Sequence, residues 1–244
     1  MENLDRQKES KRVTGRTRDI VIALDRGIFF FTKHWLAAFN LFVLAYVGLP
    51  FVAPVLMNAG LTGPAKAIYT TYSPLCHQLG FRSWYLFGER VAYPRNIFQQ
   101  YSGLDPNDFL AARAFLGNER MGYKVAFCER DVAIYGAILL GGLIYSLPFV
   151  RRRVKPLHWL AWLLIGVFPI ALDGFSQLFS QYPYHLIPLF SFLPYRESTP
   201  LLRTLTGALF GLANAWLAYP YVEESMQGVY RELEAKLARV DRDK

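Results

Sequence analysis

Apolar residues gather along this chain into long runs, and charged residues collect between and beyond them. The clearest run is Val132 to Val150, bounded by Cys128-Glu129-Arg130-Asp131 on one side and Arg151-Arg152-Arg153-Val154-Lys155 on the other. It is roughly 19 residues, or roughly 28 Å of helix, against a bilayer core of about 30 Å. Short flanks rich in Lys and Arg stay on the cytoplasmic side, so the arginine cluster marks the inner end and Cys128 to Asp131 the outer end. Further runs over 35–57, 157–172 and 204–222 complete a four-span count. The pattern predicts an all-α, polytopic membrane protein with four transmembrane helices and both termini cytoplasmic. A long extracytoplasmic loop, 58–131, joins the first two spans, and a second outer loop covers 173–203.

The ends read differently. Residues 1–34 begin as a basic cytoplasmic arm carrying Arg6, Lys8, Lys11, Arg12, Arg16 and Arg18. Ile20, Leu24, Ile28, Phe31 and Trp35 then recur at spacings of three and four, which predicts an interfacial helix leading into the first span. In 223–244 the residues Met226, Val229, Leu233, Leu237 and Val240 follow the same period, predicting an amphipathic cytoplasmic tail helix, packed on the membrane or against a partner helix. Within the long loop, Asp105-Pro106-Asn107-Asp108 predicts a cap for a helix from Phe109 to Leu116. Asn40, a polar side chain inside the first span, predicts an interhelical hydrogen bond.

Small residues repeat every four positions at Ala133, Ala137 and Gly141, and again at Gly207, Gly211 and Ala215. Such stripes let helix backbones approach closely, so the second and fourth spans are expected to touch, or one of them to form a homo-oligomer contact.

Composition narrows the class. The chain is 53% hydrophobic and only 19% charged, and its charges are segregated rather than interleaved on every helix face. The net charge of +8 fits basic segments facing an anionic inner leaflet, and no nucleic-acid recognition motif accompanies it. The bilayer is the expected partner, and the cell membrane the expected location. Two cysteines, Cys76 and Cys128, are too few for a disulfide scaffold. No phosphate loop, dinucleotide fingerprint, His-Glu-x-x-His or serine triad order is present.

Chemistry gathers at the outer side. Cys76, His77, Cys128 and Asp131 together supply two thiolates, an imidazole and a carboxylate, a legitimate tetrahedral set for zinc. A Cys76–Cys128 disulfide suits an oxidising outer compartment equally well, and two inert cysteines are a third reading. Glu129, Asp173, Gln177 and Arg203 form a polar cluster at the outer ends of the spans. One reading is an Asp173–Arg203 ion pair pinning two helices. The other is an outward-facing polar cavity. The single histidines His34, His158 and His185 read as interfacial anchors.

Four ordered motifs carry a resemblance. They are Cys76-His77-Gln78-Leu79-Gly80-Phe81-Arg82-Ser83-Trp84 ending at Phe87-Gly88; Cys128-Glu129-Arg130-Asp131 followed by Ile134-Tyr135-Gly136; Leu172-Asp173-Gly174 with Gln177; and Arg203 with Thr206-Gly207 and Gly211. This series resembles the uncharacterised bacterial membrane-protein family called domain of unknown function 2085. The resemblance implies topology more than activity. Two departures stand out within the second motif: Asp131 and Ala133 occupy positions where the family typically has cysteine and glycine. The family's set of one Cys-His pair and two further cysteines resembles a zinc site, in which Asp131 is a permissible replacement. Residues 92–126 enlarge the gap between the first two motifs and lie outside the resemblance.

The expectation is a non-catalytic membrane protein with a structural, sensory or assembly role, holding zinc or a disulfide at its outer cluster. The alternative is a membrane-embedded enzyme or small transporter using Glu129, Asp173 and Arg203 in the cavity.

Overall fold

A computed structural model of the chain describes residues 15–181 and 183–242, apart from the side chain of His185. The basic positions Arg6, Lys8, Lys11 and Arg12, with Lys244, lie outside the described residues. Two compact units are present, residues 39–220 and, separately, the residues up to Ala38 with those from Tyr221 onward.

Nine helices are described: α1 (Gly15–Asn58), α2 (Thr62–Tyr72), α3 (Arg95–Ser102), α4 (Phe109–Ala114), α5 (Glu129–Tyr145), α6 (Pro148–Arg153), α7 (Trp159–Ala161), α8 (Phe168–Phe179) and α9 (Pro200–Arg242). A π-helical segment, Trp162–Val167, joins α7 to α8 without a break. Among the described residues, three helices are long and apolar enough to cross a membrane: Gly15–Asn58, Trp159–Phe179 and Pro200–Arg242.

The apolar run from Val132 to Val150 is not one helix. Helix α5 stops at Tyr145, and Leu147 is extended at ψ 125° before Pro148 opens α6. Proline disfavours helical backbone at the residue before it and lacks the N–H an uninterrupted helix needs, so the run divides there. The third apolar run is longer than its composition suggested. It continues through Asp173 to Phe179, because Asp173 and Gln177 are buried among partners rather than turned to solvent. At the start of α9, Thr199 Oγ1 accepts the Leu202 N–H at 3.2 Å and Pro200 takes the first helical position, where its missing N–H costs nothing.

The purely helical expectation fails in the long loop. Strands β1 (Ser83–Leu86), β2 (Gly117–Asn118) and β3 (Gly122–Cys128) form an antiparallel sheet in the order β1-β3-β2. Strand β3 is central and buries Lys124, Val125, Ala126 and Phe127 in succession, so its side chains never alternate in the way that marks a half-buried strand. Leu79, Phe81, Tyr85, Tyr93, Phe98, Ala112 and Met121 make a separate core, to which β1 contributes Tyr85. The predicted cap is present: Asp108 Oδ1 accepts the Ala111 N–H at 2.9 Å, although α4 ends at Ala114.

Helices α5 and α9 touch through the predicted small residues. A Cβ added to Gly211 would lie 2.3 Å from the Ile134 carbonyl oxygen and 2.9 Å from Ala137, one on Gly207 would meet Ala133 at 3.1 Å, and one on Gly141 would meet Ala215 at 2.7 Å. The partner numbers rise together along both helices, so α5 and α9 run parallel. Asn40 Nδ2 donates to Ser146 Oγ at 3.3 Å, and Tyr46 packs edge-on against Tyr135, so α1 runs antiparallel to α5.

In the other unit, the start of α1 pairs with the end of α9. Trp35 Nε1 donates to Glu223 at 2.9 Å, Phe29 stacks on Tyr230, and Lys236 meets Asp25 at 2.6 Å. The amphipathic tail therefore has a partner helix within its own chain.

Candidate functional site

The loop after α2 carries Cys76, His77 and Gln78, and β3 ends at Cys128, the residue that caps α5. Pairing of Ser83 with Cys128 across β1 and β3 holds the two stretches together. Gln78 sits in the left-handed region at φ 50°, a conformation costly for a residue with a Cβ. Several contacts hold it there. Its side-chain amide donates to Tyr69 O at 2.9 Å and Ala126 O at 3.0 Å, and its carbonyl accepts Lys124 Nζ at 2.7 Å. The result is that the Gln78 N–H donates to Cys76 Sγ at 3.4 Å, while the Cys128 N–H donates to the same sulfur at 3.3 Å.

Cys76 and Cys128 are free thiols. Their sulfurs and a carboxylate oxygen of Asp131 lie within 4.8 Å of one another. The Cys128 thiol donates to Asp131 Oδ2 at 3.1 Å. Its hydrogen bond with Cys76, with burial behind it, raises the Cys128 pKa well above the usual thiol range. Zinc with bonds of about 2.3 Å holds two thiolate sulfurs about 3.8 Å apart, a separation this group can meet. The two backbone N–H groups on Cys76 would offset the charge of a thiolate. His77 is exposed and stands outside this trio, though it lines the same cavity.

That cavity measures about 570 Å³ and unites the two clusters the sequence kept apart: Cys76, His77, Cys128 and Asp131 line it together with Gln177 and Arg203. Arg82, Arg130 and Gln181 complete its polar wall, and Leu75, Ile170, Phe175 and Leu178 its apolar one.

Beside the cavity runs an ion-pair network, and its partners differ from the expected Asp173–Arg203 pair. Asp173 is bound by Arg130, by Arg196 at 2.9 Å, and by the Ser198 hydroxyl at 2.8 Å. Arg203 reaches Glu129 at 2.9 Å and also Glu197. Arg82 grips Glu197 with two hydrogen bonds of 2.7 and 2.9 Å. Gln177 Oε1 accepts the Ser198 N–H at 3.2 Å. The physical reason for the exchange is proximity: Arg130 and Glu129 are neighbours at the start of α5, and each draws the opposite charge from a different helix. Arg82, Arg196, Glu197 and Ser198 were not recognised as part of the cluster from the sequence. The latter three sit in a stretch rich in Pro, Tyr and Ser that reads as a surface loop. The one available signal was the adjacent opposite charges of Arg196 and Glu197.

Of the single histidines, His34 Nδ1 lies 2.9 Å from the Phe30 carbonyl, and His158 Nδ1 accepts the Leu160 N–H at 3.2 Å as a helix cap. The side chain of His185 lies outside the described residues.

Comparison with known proteins agrees with the motif resemblance. The uncharacterized protein MJ1492 of Methanocaldococcus jannaschii is 26% identical over 196 residues, covering 77% of this chain and 92% of that protein. No solved structure matches the chain. A family described as predicted membrane protein, DUF2085, matches from residue 113 to 217, a stretch that holds Cys128, Glu129, Asp131, Asp173, Gln177 and Arg203 and leaves Cys76 and His77 upstream. Over residues 113–217, the chain is similar to the DUF2085 family of predicted membrane proteins.

Proposed function

We propose that this is a multi-pass protein of the cell membrane, with four spans and cytoplasmic termini, that holds a zinc ion at an extracytoplasmic cavity. Helix α5 serves as the remaining span. Its 17 residues reach about 26 Å, and it packs along α9 from Ala133 to Gly141. Parallel α5 and α9, with α1 antiparallel to α5, is the arrangement that four successive crossings require. The basic residues Arg151, Arg152, Arg153 and Lys155 then fall on the same side as the termini.

The observation that carries the metal reading is the convergence of Cys76, Cys128 and Asp131 on the cavity wall. Soft thiolates with a carboxylate select zinc among the common divalent ions. Three protein ligands leave a fourth position for exposed His77 or a small molecule in the cavity, the pattern of a working zinc site rather than a closed structural one. The zinc would supply a Lewis acid or a bound water there. A regulatory or assembly role needs only the binding.

The test is metal content of the full-length protein purified without added chelator. One zinc per chain, lost in Cys76→Ser and Cys128→Ser, is expected, and metal-free wild-type protein would overturn the reading. A Cys76–Cys128 disulfide is the second reading, supported by the closeness of the sulfurs. Alkylation separates the two, since a bridged pair resists the reagent until reduced. Reporters fused after Lys244 and inserted near Asn107 test the topology; cytoplasmic and external signals, respectively, are expected.

A further inference from the structure

The cavity wall divides its charges unevenly. Arg82, Arg130 and Arg203 line it, whereas the carboxylates that neutralise them, Glu129, Asp173 and Glu197, do not. Among the described acidic side chains, Asp131 alone lines the space. Three arginines therefore contribute to the wall while the carboxylates paired with them do not. Arg130 Nε is buried and has no hydrogen-bond partner among the described residues. An unpaired buried donor of this kind costs free energy.

The cavity is also graded from polar to apolar. Arg203 and Gln177 are almost fully buried, at 3% and 7% exposure, while Leu75, Phe175 and Leu178 keep 56%, 54% and 41%. Buried groups mark the inner end and exposed ones the rim, so the rim is hydrophobic apart from exposed His77. Phe175 and Leu178 belong to α8, whose neighbouring Phe168 and Leu172 are likewise exposed, as side chains facing lipid are. A ligand suited to this space has an oxyanion at one end and a hydrocarbon at the other.

We infer that the cavity binds a net-anionic phosphate group, presented on the head of a membrane lipid whose chains leave over the rim of Leu75, Phe175 and Leu178. Guanidinium donors match phosphate oxygens in geometry and charge. The inference stands on the arginine wall and does not require the zinc.

Thermal unfolding of the detergent-purified full chain tests it, titrated with inorganic phosphate, short-chain phosphatidic acid and short-chain phosphatidylcholine. Two variants are compared, Arg130→Gln and Arg196→Gln. Each removes one guanidinium partner of Asp173, yet only Arg130 lines the cavity. Phosphatidic acid is expected to raise the midpoint saturably in the wild type and in Arg196→Gln. Arg130→Gln should need about tenfold more lipid, the scale of one charge-assisted contact. Equal stabilisation by phosphatidylcholine, equal behaviour of the two variants, or no shift would overturn the inference. Inorganic phosphate acting as strongly as phosphatidic acid would overturn the lipid part and mark a free-anion site. Zinc measured on the same samples keeps the two proposals separate, since lipid binding that fails in zinc-loaded protein leaves the metal reading standing.

Discussion

The Arg203 guanidinium donates to Glu129 Oε2 at 2.9 Å, and the two side chains keep only 3% and 1% of their surface exposed. The pair joins the start of α9 to the start of α5, within a network that also ties Arg203 to Glu197. Desolvating two charges is costly, and the cost is recovered only while both partners stay in place.

Arg203→Ala should therefore destabilise the protein by about 3–5 kcal/mol, because Glu129 is left buried and unpaired. Glu197 would still have Arg82. The double change Glu129→Ala with Arg203→Ala should recover part of the loss. Thermal unfolding in detergent reads both. A double variant no more stable than Arg203→Ala would show that the pair does not carry this cost.

The contact between α5 and α9 gives a steric prediction. At Gly211 an added Cβ would stand 2.3 Å from the Ile134 carbonyl oxygen, whereas at Gly136 it meets nothing within 4 Å. Gly211→Ala should force the helices apart at a cost of about 1–3 kcal/mol. Gly136→Ala should be neutral or slightly stabilising, since alanine is the better helix former. Equal effects of the two changes on the unfolding midpoint would contradict the packing.

That contact was legible in the sequence because a four-residue repeat of small side chains is a local signal with one geometric use. Asp108 and Asn40 were legible for similar reasons: a cap residue before a helix, and a polar group in an apolar run. The sheet was not. Strand β3, Gly-Tyr-Lys-Val-Ala-Phe-Cys, is buried on both faces over four consecutive residues, so it lacks a period of two and contains a lysine. The ion-pair partners were hidden for a different reason. Asp173, inside α8, and Arg203, near the start of α9, each have opposite charges available from several elements. The choice of Arg196 and Glu197 as partners depends on how a loop folds back, which no spacing records. The division at Pro148 was readable in principle, but a nineteen-residue run that is otherwise almost wholly apolar outweighed its one proline.

The same lysine yields a pH prediction. Lys124 is fully buried, and its Nζ donates to Gln78 O at 2.7 Å and Arg113 O at 2.6 Å. Burial pushes its pKa down from 10.5 to about 7. Between these values the unfolded chain carries a proton that the folded chain has released. Stability should thus rise with pH from about 7 to about 10.5, by at most about 1.4 kcal/mol per unit. Below about pH 7 both states are protonated and the full penalty of the buried charge remains. Lys124→Met should flatten this rise and leave two carbonyls without their donor, costing about 1–3 kcal/mol at alkaline pH. Its deficit relative to the wild type should shrink toward pH 6. Parallel pH profiles for the two proteins would rule out a buried, titrating amine.

The cysteine group gives the sharpest chemical prediction, because its third donor can be exchanged. Asp131 lies with Cys76 and Cys128 in the converging trio and accepts the Cys128 thiol proton. Replacing it by cysteine supplies a third thiolate where the related motif typically has one, and thiolates bind zinc more strongly than a carboxylate does. Asp131→Cys should raise zinc affinity, Asp131→Ala should lower it, and His77→Ala should matter less than either if a small molecule fills the fourth position. Cobalt substitution distinguishes the ligand sets directly, since each thiolate adds sulfur-to-metal charge-transfer absorption. The wild type should show a two-thiolate intensity and Asp131→Cys a three-thiolate one. Should Asp131→Cys instead form a disulfide with Cys128 and lose metal, residue 131 would be a hydrogen-bond acceptor for a thiol, and the zinc assignment would fall with it.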